Sequence, residues 1–214
     1  MDDTVIVITG EQALHQRALQ ALPESAIVLA ADGALDNALA AGLHPAGLIG
    51  DLDSVSPEGL AWAQAHATIE RHDPDKERTD TELALAVAVR LDPAHLIMVG
   101  SGDRLDHTMA AIGALGHPSL TSIPLIDCWW GDQRIHVVHG PGRLGLELPP
   151  DTTLSLLALH GPCGGVGITG VKWPLAGAHL DALIGEGVSN LTIDEQIEIT
   201  VSTGVLTVFV VEAA

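Results

Sequence analysis

The sequence contains no tyrosine, one phenylalanine and four tryptophans, so aromatic residues supply only 2% of its 214 positions. Any core must therefore be packed mainly with Ala, Val, Leu and Ile. Apolar types together reach 47%, enough to bury a substantial interior and to exclude a disordered chain. Cysteine is scarce too: Cys128 and Cys163 stand far apart and in no CxxC pattern. That argues against a zinc site or a disulfide framework and fits a reducing, cytoplasmic setting. Positive charge is the third shortage. Nine bases face 28 acids, for a net charge of −19, and a field of that sign repels nucleic acid and anionic membranes. No uninterrupted apolar run reaches the roughly 18 residues a membrane span needs. The opening MDDTVIVITG is acidic and then β-like, unlike a basic-then-apolar secretion signal. Motifs are missing as well: there is no GxxxxGK[ST], HExxH or GxSxG, so P-loop, zincin and serine-hydrolase chemistry gain no support.

What is present is an alternation of strand and helix. Residues 4–9, 26–30, 47–49, 68–71, 95–99 and 123–126 read as strands. Residues 11–21, 34–41, 57–67, 79–90 and 105–115 read as helices. The fourth helix is the best marked, because Thr79 and Glu82 spell the Ser/Thr-x-x-Glu capping box ahead of an apolar stretch. Such alternation predicts an α/β/α domain with a mostly parallel sheet. After about Asp127 the pattern changes to short β-like pieces at 134–138, 144–148, 153–159, 193–201 and 205–211, punctuated by Gly and Pro. These predict a smaller C-terminal antiparallel β-sandwich, with domains at residues 1–130 and 131–214 and Trp129–Trp130 packed at the junction. GVGITG at 165–170 matches G-x-G-x-x-G, but it lies in the β-rich half with no helix after it, so it is not read as a dinucleotide loop.

The acids follow the strands. Asp32 comes after the second strand, Asp51 and Asp53 after the third, Asp73, Asp75 and Asp80 after the fourth, Asp103 and Asp106 after the fifth. In an open parallel sheet the carboxyl ends of the strands form the ligand-binding edge. Clustered carboxylates are unfavourable unless a proton or a cation joins them. A hard divalent ion such as Mg²⁺ suits oxygen ligands, and it leaves positions for phosphate oxygens. Lys76, one of only two lysines, lies within DPDKERTD, and Arg104 lies within GSGDRLDH. Both bases are placed to reach an anionic phosphate beside such an ion. Among eleven histidines only His107, beside Asp106, stands out.

Six segments in order, ADGALDNALAAGL, GDLDS, DKERTD, GSGDRLDHTMAAI, TGVKWPL and GVSN, span almost the whole chain. The series resembles the thiamine pyrophosphokinase family. The resemblance implies transfer of diphosphate from ATP to thiamine with Mg²⁺, giving AMP and thiamine diphosphate. It also implies a homodimer with active sites at the subunit interface. Residue by residue, it implies that Asp51, Asp53 and Asp80 hold the metal, and that Asp32, Gly33, Lys76 and Arg104 serve ATP. It further implies that Asp106, Trp173, Ser189 and Asn190 bind thiamine, with Trp173 stacking on it. Asp106, with His107 beside it, is expected to orient or accept the hydroxyl proton. The chain departs from the family pattern at Ala34 and Asp103, which stand where glycines are usual. The alternatives are a pyrophosphokinase for another alcohol such as 6-hydroxymethyl-dihydropterin, a non-catalytic thiamine- or nucleotide-binding relative, and a metal-dependent phosphohydrolase.

Overall fold

The computed structural model describes residues 3–102 and 104–211. The chain divides into two compact units, one running to Asp132 and the other starting at Gln133.

The first unit alternates β1 (Thr4–Gly10), α1 (Gln16–Ala21), β2 (Ile27–Ala31), α2 (Ala34–Ala40), β3 (Gly47–Gly50), α3 (Pro57–His66), β4 (Thr68–Arg71), α4 (Asp80–Arg90), β5 (His95–Ser101), α5 (Leu105–Ala114) and β6 (Leu125–Trp130). Its strands lie in the order β6-β5-β1-β2-β3-β4, and every pairing is parallel. β1 is buried on both faces, from Val5 to Thr9, as a central parallel strand covered by helices requires. Ile6, Ile8, Ile97, Val99 and Trp129 form one apolar cluster with Ala18, Ala34 and Ala38. Ala30, Leu35, Leu48 and Ala63 form another. Leu48 is fully shielded, and a side chain of that size stabilises the fold by about 1.5–3 kcal/mol. Small alanines let the helices approach the sheet, which is how so few aromatics suffice. Because the chain runs outward from β1 to β4 and returns to the other side of β1 as β5, the strand order reverses between β1 and β5. That reversal opens a crevice at the carboxyl edge.

The second unit holds two antiparallel sheets. One has the order β12-β9-β14-β7 and the other β11-β10-β13-β8, from β7 (Gln133–His139), β8 (Gly142–Glu147), β9 (Thr153–Leu157), β10 (Cys163–Thr169), β11 (Leu175–Leu180), β12 (Gly187–Leu191), β13 (Gln196–Val201) and β14 (Val205–Val211). Leu144 and Leu146, Leu154 and Leu156, and Ile197 and Ile199 are buried, while the residues between them are not. This period-two burial is that of a two-sheet sandwich. GVGITG lies in β10 up to Thr169, with Gly170 just past its end, so it is a strand and not a nucleotide loop.

Several edges differ from the sequence reading. The first helix starts at Gln16, not Glu11. Gly10 adopts φ 89, and the Glu11 N–H donates to the Ser101 carbonyl, so the chain is still held to the sheet there. β6 runs on through Trp129 and Trp130: Trp129 is a core residue, and Trp130 is only partly buried. The strands β10, β11 and β12 were not expected from the sequence. Among the described residues no helix is long and apolar enough to cross a membrane.

Candidate active site

A cavity of about 670 Å³ opens at the carboxyl edge of the first unit. It is lined from β1 by Thr9 and Gly10, from the turn after β2 by Asp32 and Gly33, and from the loop after β3 by Asp51 and Asp53. The segment leading into α4 contributes Lys76 and Asp80, the segment after β5 contributes Arg104 and His107, and β6 contributes Trp130.

Asp80 is delivered by a helix start. Thr79 caps α4: its Oγ1 accepts from the Glu82 N–H at 3.2 Å, and Glu82 Oε2 accepts from the Thr79 N–H at 2.8 Å. Such a cap is worth about 1 kcal/mol. It fixes Asp80 at the first helical position, where the helix dipole favours negative charge. Asp32 sits at φ 47 between β2 and α2, and its N–H donates to the Ile49 carbonyl at 2.8 Å. Asp tolerates this left-handed conformation better than most residues. Gly50 lets the acids meet. At φ 151 it carries no side chain, and a Cβ there would lie 2.9 Å from both Asp32 Cβ and Asp80 Oδ1.

Around that bare Cα, one carboxylate oxygen each from Asp32, Asp51 and Asp80 lies within 4.8 Å of the other two. Lys76 adds the positive charge. Its ammonium pairs with Asp51 Oδ2 and lies 3.1 Å from Asp80 Oδ1, with the lysine side chain only 14% exposed. The hydrogen bond from Lys76 holds the Asp51 pKa below its usual value, while burial works against it. Asp32 is different. Burial raises its pKa, and the charges of Asp80 and Asp51 add to the rise against the opposing Gly33 N–H. Its Oδ1 is buried with no hydrogen-bond partner among the described residues. An orphaned, desolvated carboxylate oxygen facing two further carboxylates suits a cation. An octahedral Mg²⁺ with oxygens about 2.1 Å away spans at most about 4.2 Å between opposite ligands, so modest side-chain rotation would close the triplet on one ion.

Asp53, expected as a metal ligand, lines the cavity but stands outside this triplet. Its Oδ1 accepts from the Ser54 hydroxyl at 2.8 Å, and its side chain is exposed. Leu52, at φ 69, turns the chain between the two acids. Asp32, expected to serve ATP, takes the third place. Asp73 accepts from the Asp75 N–H at 2.9 Å, forming a local turn, and neither residue lines the cavity. Arg104 forms a two-pronged pair with Asp106, Nη2 to Oδ2 at 2.7 Å and Nε to Oδ1 at 3.3 Å. This pair raises the arginine pKa and holds Asp106 at about 2. His107 Nδ1 lies 3.4 Å from Glu11 Oε1. Asp103 lies outside the described residues. Sequence reasoning missed Thr9, whose Oγ1 meets Thr81 Oγ1 at 2.5 Å, and Trp130, read as junction packing. The signal was available: both stand at carboxyl ends of strands.

On the second unit, Trp173 is 53% exposed, and Lys172 Nζ sits 4.7 Å above its ring centroid. Asn190 is buried, and its amide is engaged by the Trp173 backbone: Oδ1 accepts from the Trp173 N–H at 3.1 Å, and Nδ2 donates to its carbonyl at 2.7 Å. Ser189, exposed at φ 62, donates its N–H to Ser155 Oγ at 3.1 Å. Asn190 therefore positions the indole's backbone.

A family model described as "Thiamin pyrophosphokinase, catalytic domain" matches residues 18–126, and one described as "Thiamin pyrophosphokinase, vitamin B1 binding domain" matches residues 133–206. No curated protein matches the chain. Among solved structures, thiamine pyrophosphokinase from Bacillus subtilis aligns with a TM-score of 0.83 at 22% identity, over 99% of this chain and 100% of that one. The Geobacillus thermodenitrificans protein gives 0.76 at 23%, over 99% and 98%. That from Candida albicans gives 0.75 at 14%, over 97% and 90%. At these identities the structural likeness is one of fold, and the family models carry the assignment: the chain belongs to the thiamin pyrophosphokinase family.

Proposed function

We propose that this enzyme transfers diphosphate from ATP to the hydroxyl of thiamine, giving thiamine diphosphate and AMP, with a divalent cation such as Mg²⁺ held by Asp32, Asp51 and Asp80. One observation carries the reading: three carboxylates from separate segments gather, with Lys76 among them, in a cavity of about 670 Å³. That size suits a nucleotide. A bound Mg²⁺ supplies charge neutralisation for phosphate oxygens. The residues of the chain do the rest. Lys76, carried beside the carboxylates, would offset charge on the transferred group. Arg104 presents its guanidinium at the cavity rim, oriented by Asp106. With its pKa held at about 2, Asp106 is a weak proton acceptor at neutral pH, so we assign it to orienting Arg104. Asp53 is kept as a further acid facing the phosphates, and Gly33 as a close backbone approach to them. Trp173 offers the cationic thiamine ring the indole face that Lys172 does not cover, with Asn190 and Ser189 shaping that surface.

The reading extends to a cytoplasmic homodimer. The exposed apolar side chains Leu183, Ile184, Val188 and Ile193 of the second unit support self-association, and sedimentation at twice the chain mass would bear it out. The function itself is tested by product analysis. With ATP, Mg²⁺ and thiamine, AMP and thiamine diphosphate should form in equal amounts, and no AMP should form without thiamine. Release of ADP or phosphate independent of any acceptor would contradict the proposal. Turnover with 6-hydroxymethyl-dihydropterin in place of thiamine would redirect it.

A further inference from the structure

Asp36 reaches neither the cavity nor the carboxylate triplet, yet it anchors the loop that supplies Asp51. It is the third residue of α2, half-buried, four residues after Asp32. Its carboxylate takes both donors of Ser56: the backbone N–H gives to Oδ2 at 2.8 Å, and the hydroxyl gives to Oδ1 at 2.6 Å. The second distance lies in the range of strong, charge-assisted O–H···O⁻ bonds. Ser56 is in turn the N-cap of α3, its Oγ accepting from the Gly59 N–H at 2.9 Å. Gly59 makes room for this arrangement, since a Cβ there would fall 2.2 Å from Asp36 Oδ1.

The loop at residues 51–56 thus has two fixed ends. Asp51 follows directly from β3, and Ser56 is clamped by Asp36. Between them Leu52 holds a left-handed backbone at φ 69. Gly33, three residues before Asp36, lets the Ser54 carbonyl approach to 3.0 Å from where a Cβ would stand. A strained loop keeps such a shape only when its surroundings over-determine it. One short stretch, Asp32 to Asp36, therefore supplies an acid of the triplet, the close approach to Ser54 and the clamp on Ser56.

We propose that Asp36 is a positioning residue: by holding Ser56 it fixes the loop that carries Asp51 and Asp53, and so sets the affinity of the site for its divalent cation. The inference rests on the metal reading given above. A purely structural role for Asp36 predicts lower thermal stability with unchanged cation affinity in the folded protein. The positioning role predicts weaker cation binding in protein that is still folded, since supporting partners of metal ligands typically matter at the level of about 10–100-fold.

The test titrates the full chain with Mn²⁺ in the presence of α,β-methylene-ATP, reading free Mn²⁺ by electron paramagnetic resonance and checking the fold by circular dichroism. Asp36→Ala is expected to weaken Mn²⁺ binding about tenfold. Asp36→Asn, which keeps one acceptor, and Ser56→Ala should weaken it less, and the thiamine KM should stay unchanged in all three. Folded Asp36→Ala with wild-type Mn²⁺ affinity overturns the inference. Should Asp36→Ala not fold, Asp36→Asn and Ser56→Ala decide by the same criterion. Wild-type protein that binds no Mn²⁺ overturns the metal reading and this inference together; binding in the wild type that no variant alters overturns this inference alone.

Discussion

At the carboxyl edge of the parallel sheet, Asp32 and Asp51 arrive from two loops and Asp80 from the start of α4, with Asp32 and Asp80 meeting over the bare Cα of Gly50 beside Asp51. On the second unit, Trp173 and Asn190 lie on adjoining segments joined by the Val171–Thr192 bridge and by the Asn190 amide. The first region is charged, partly desolvated and assembled by topology. The second is exposed, dominated by one aromatic side chain and assembled by local pairing. A desolvated charge cluster responds to loss of a member far more than an exposed aromatic face does, because the remaining charges lose their compensation. The contrast predicts a graded series of effects.

The largest belongs to the triplet. Asp51→Asn should lower kcat by about 10³-fold with the fold retained by circular dichroism; a variant within tenfold of the wild type in AMP release would remove Asp51 from the chemistry. Next comes Lys76→Met. Its ammonium pairs with the carboxylates of Asp51 and Asp80, the groups proposed to hold the divalent cation, so its loss should tighten Mn²⁺ binding while lowering kcat by about 10²-fold. Equal movement of both quantities in one direction would contradict that competition. Trp173→Ala should raise the thiamine KM about tenfold, the scale of a cation–π contact, and leave the ATP KM unchanged. An equal rise in both would mean that the two regions do not divide the substrates.

The smallest effect is on stability. A carboxyl whose pKa is raised by folding is stabilised in its protonated form, and that advantage is lost as pH rises through the folded pKa. Asp32 is such a group. Asp32→Asn should therefore stabilise the protein by about 1 kcal/mol near neutral pH, or about 2–4 °C in Tm, with the gain shrinking in acid. Asp51 has the opposite sign. Its pKa is lowered mainly by Lys76, so its contribution is present above the ordinary carboxylate range and fades as pH falls through the folded value. A Tm for Asp32→Asn below the wild type at pH 7 would show that its carboxylate is better satisfied than its environment suggests.

Much of this was legible in the residues. The alternation of the first unit and the capping box at Thr79 are local signals, and α4 starts where they point. The ligand edge could be read because acids follow strands. Which acids meet could not. Asp51 and Asp53 look like an equivalent pair, but with Leu52 in a left-handed conformation the Asp53 N–H donates to Asp51 Oδ1 at 3.3 Å while Asp51 alone of the two lies in the triplet, and no pattern of residue types announces that. Asp32 joins the group because β2 lies beside β3 and Gly50 leaves space, a fact of topology. The strands β10 to β12 escaped notice because they are rich in glycine and carry register shifts in β10–β11 and β12–β9, which erase the period-two signal.

Diffraction from crystals grown with Mn²⁺ and α,β-methylene-ATP, collected at the manganese absorption edge, tests the central claim most directly. The account predicts an anomalous peak in contact with Asp32, Asp51 and Asp80, with the phosphates on its open side. A peak held by Asp51 and Asp53 with Asp32 remote, or no peak in this cavity while the nucleotide is bound, would contradict it.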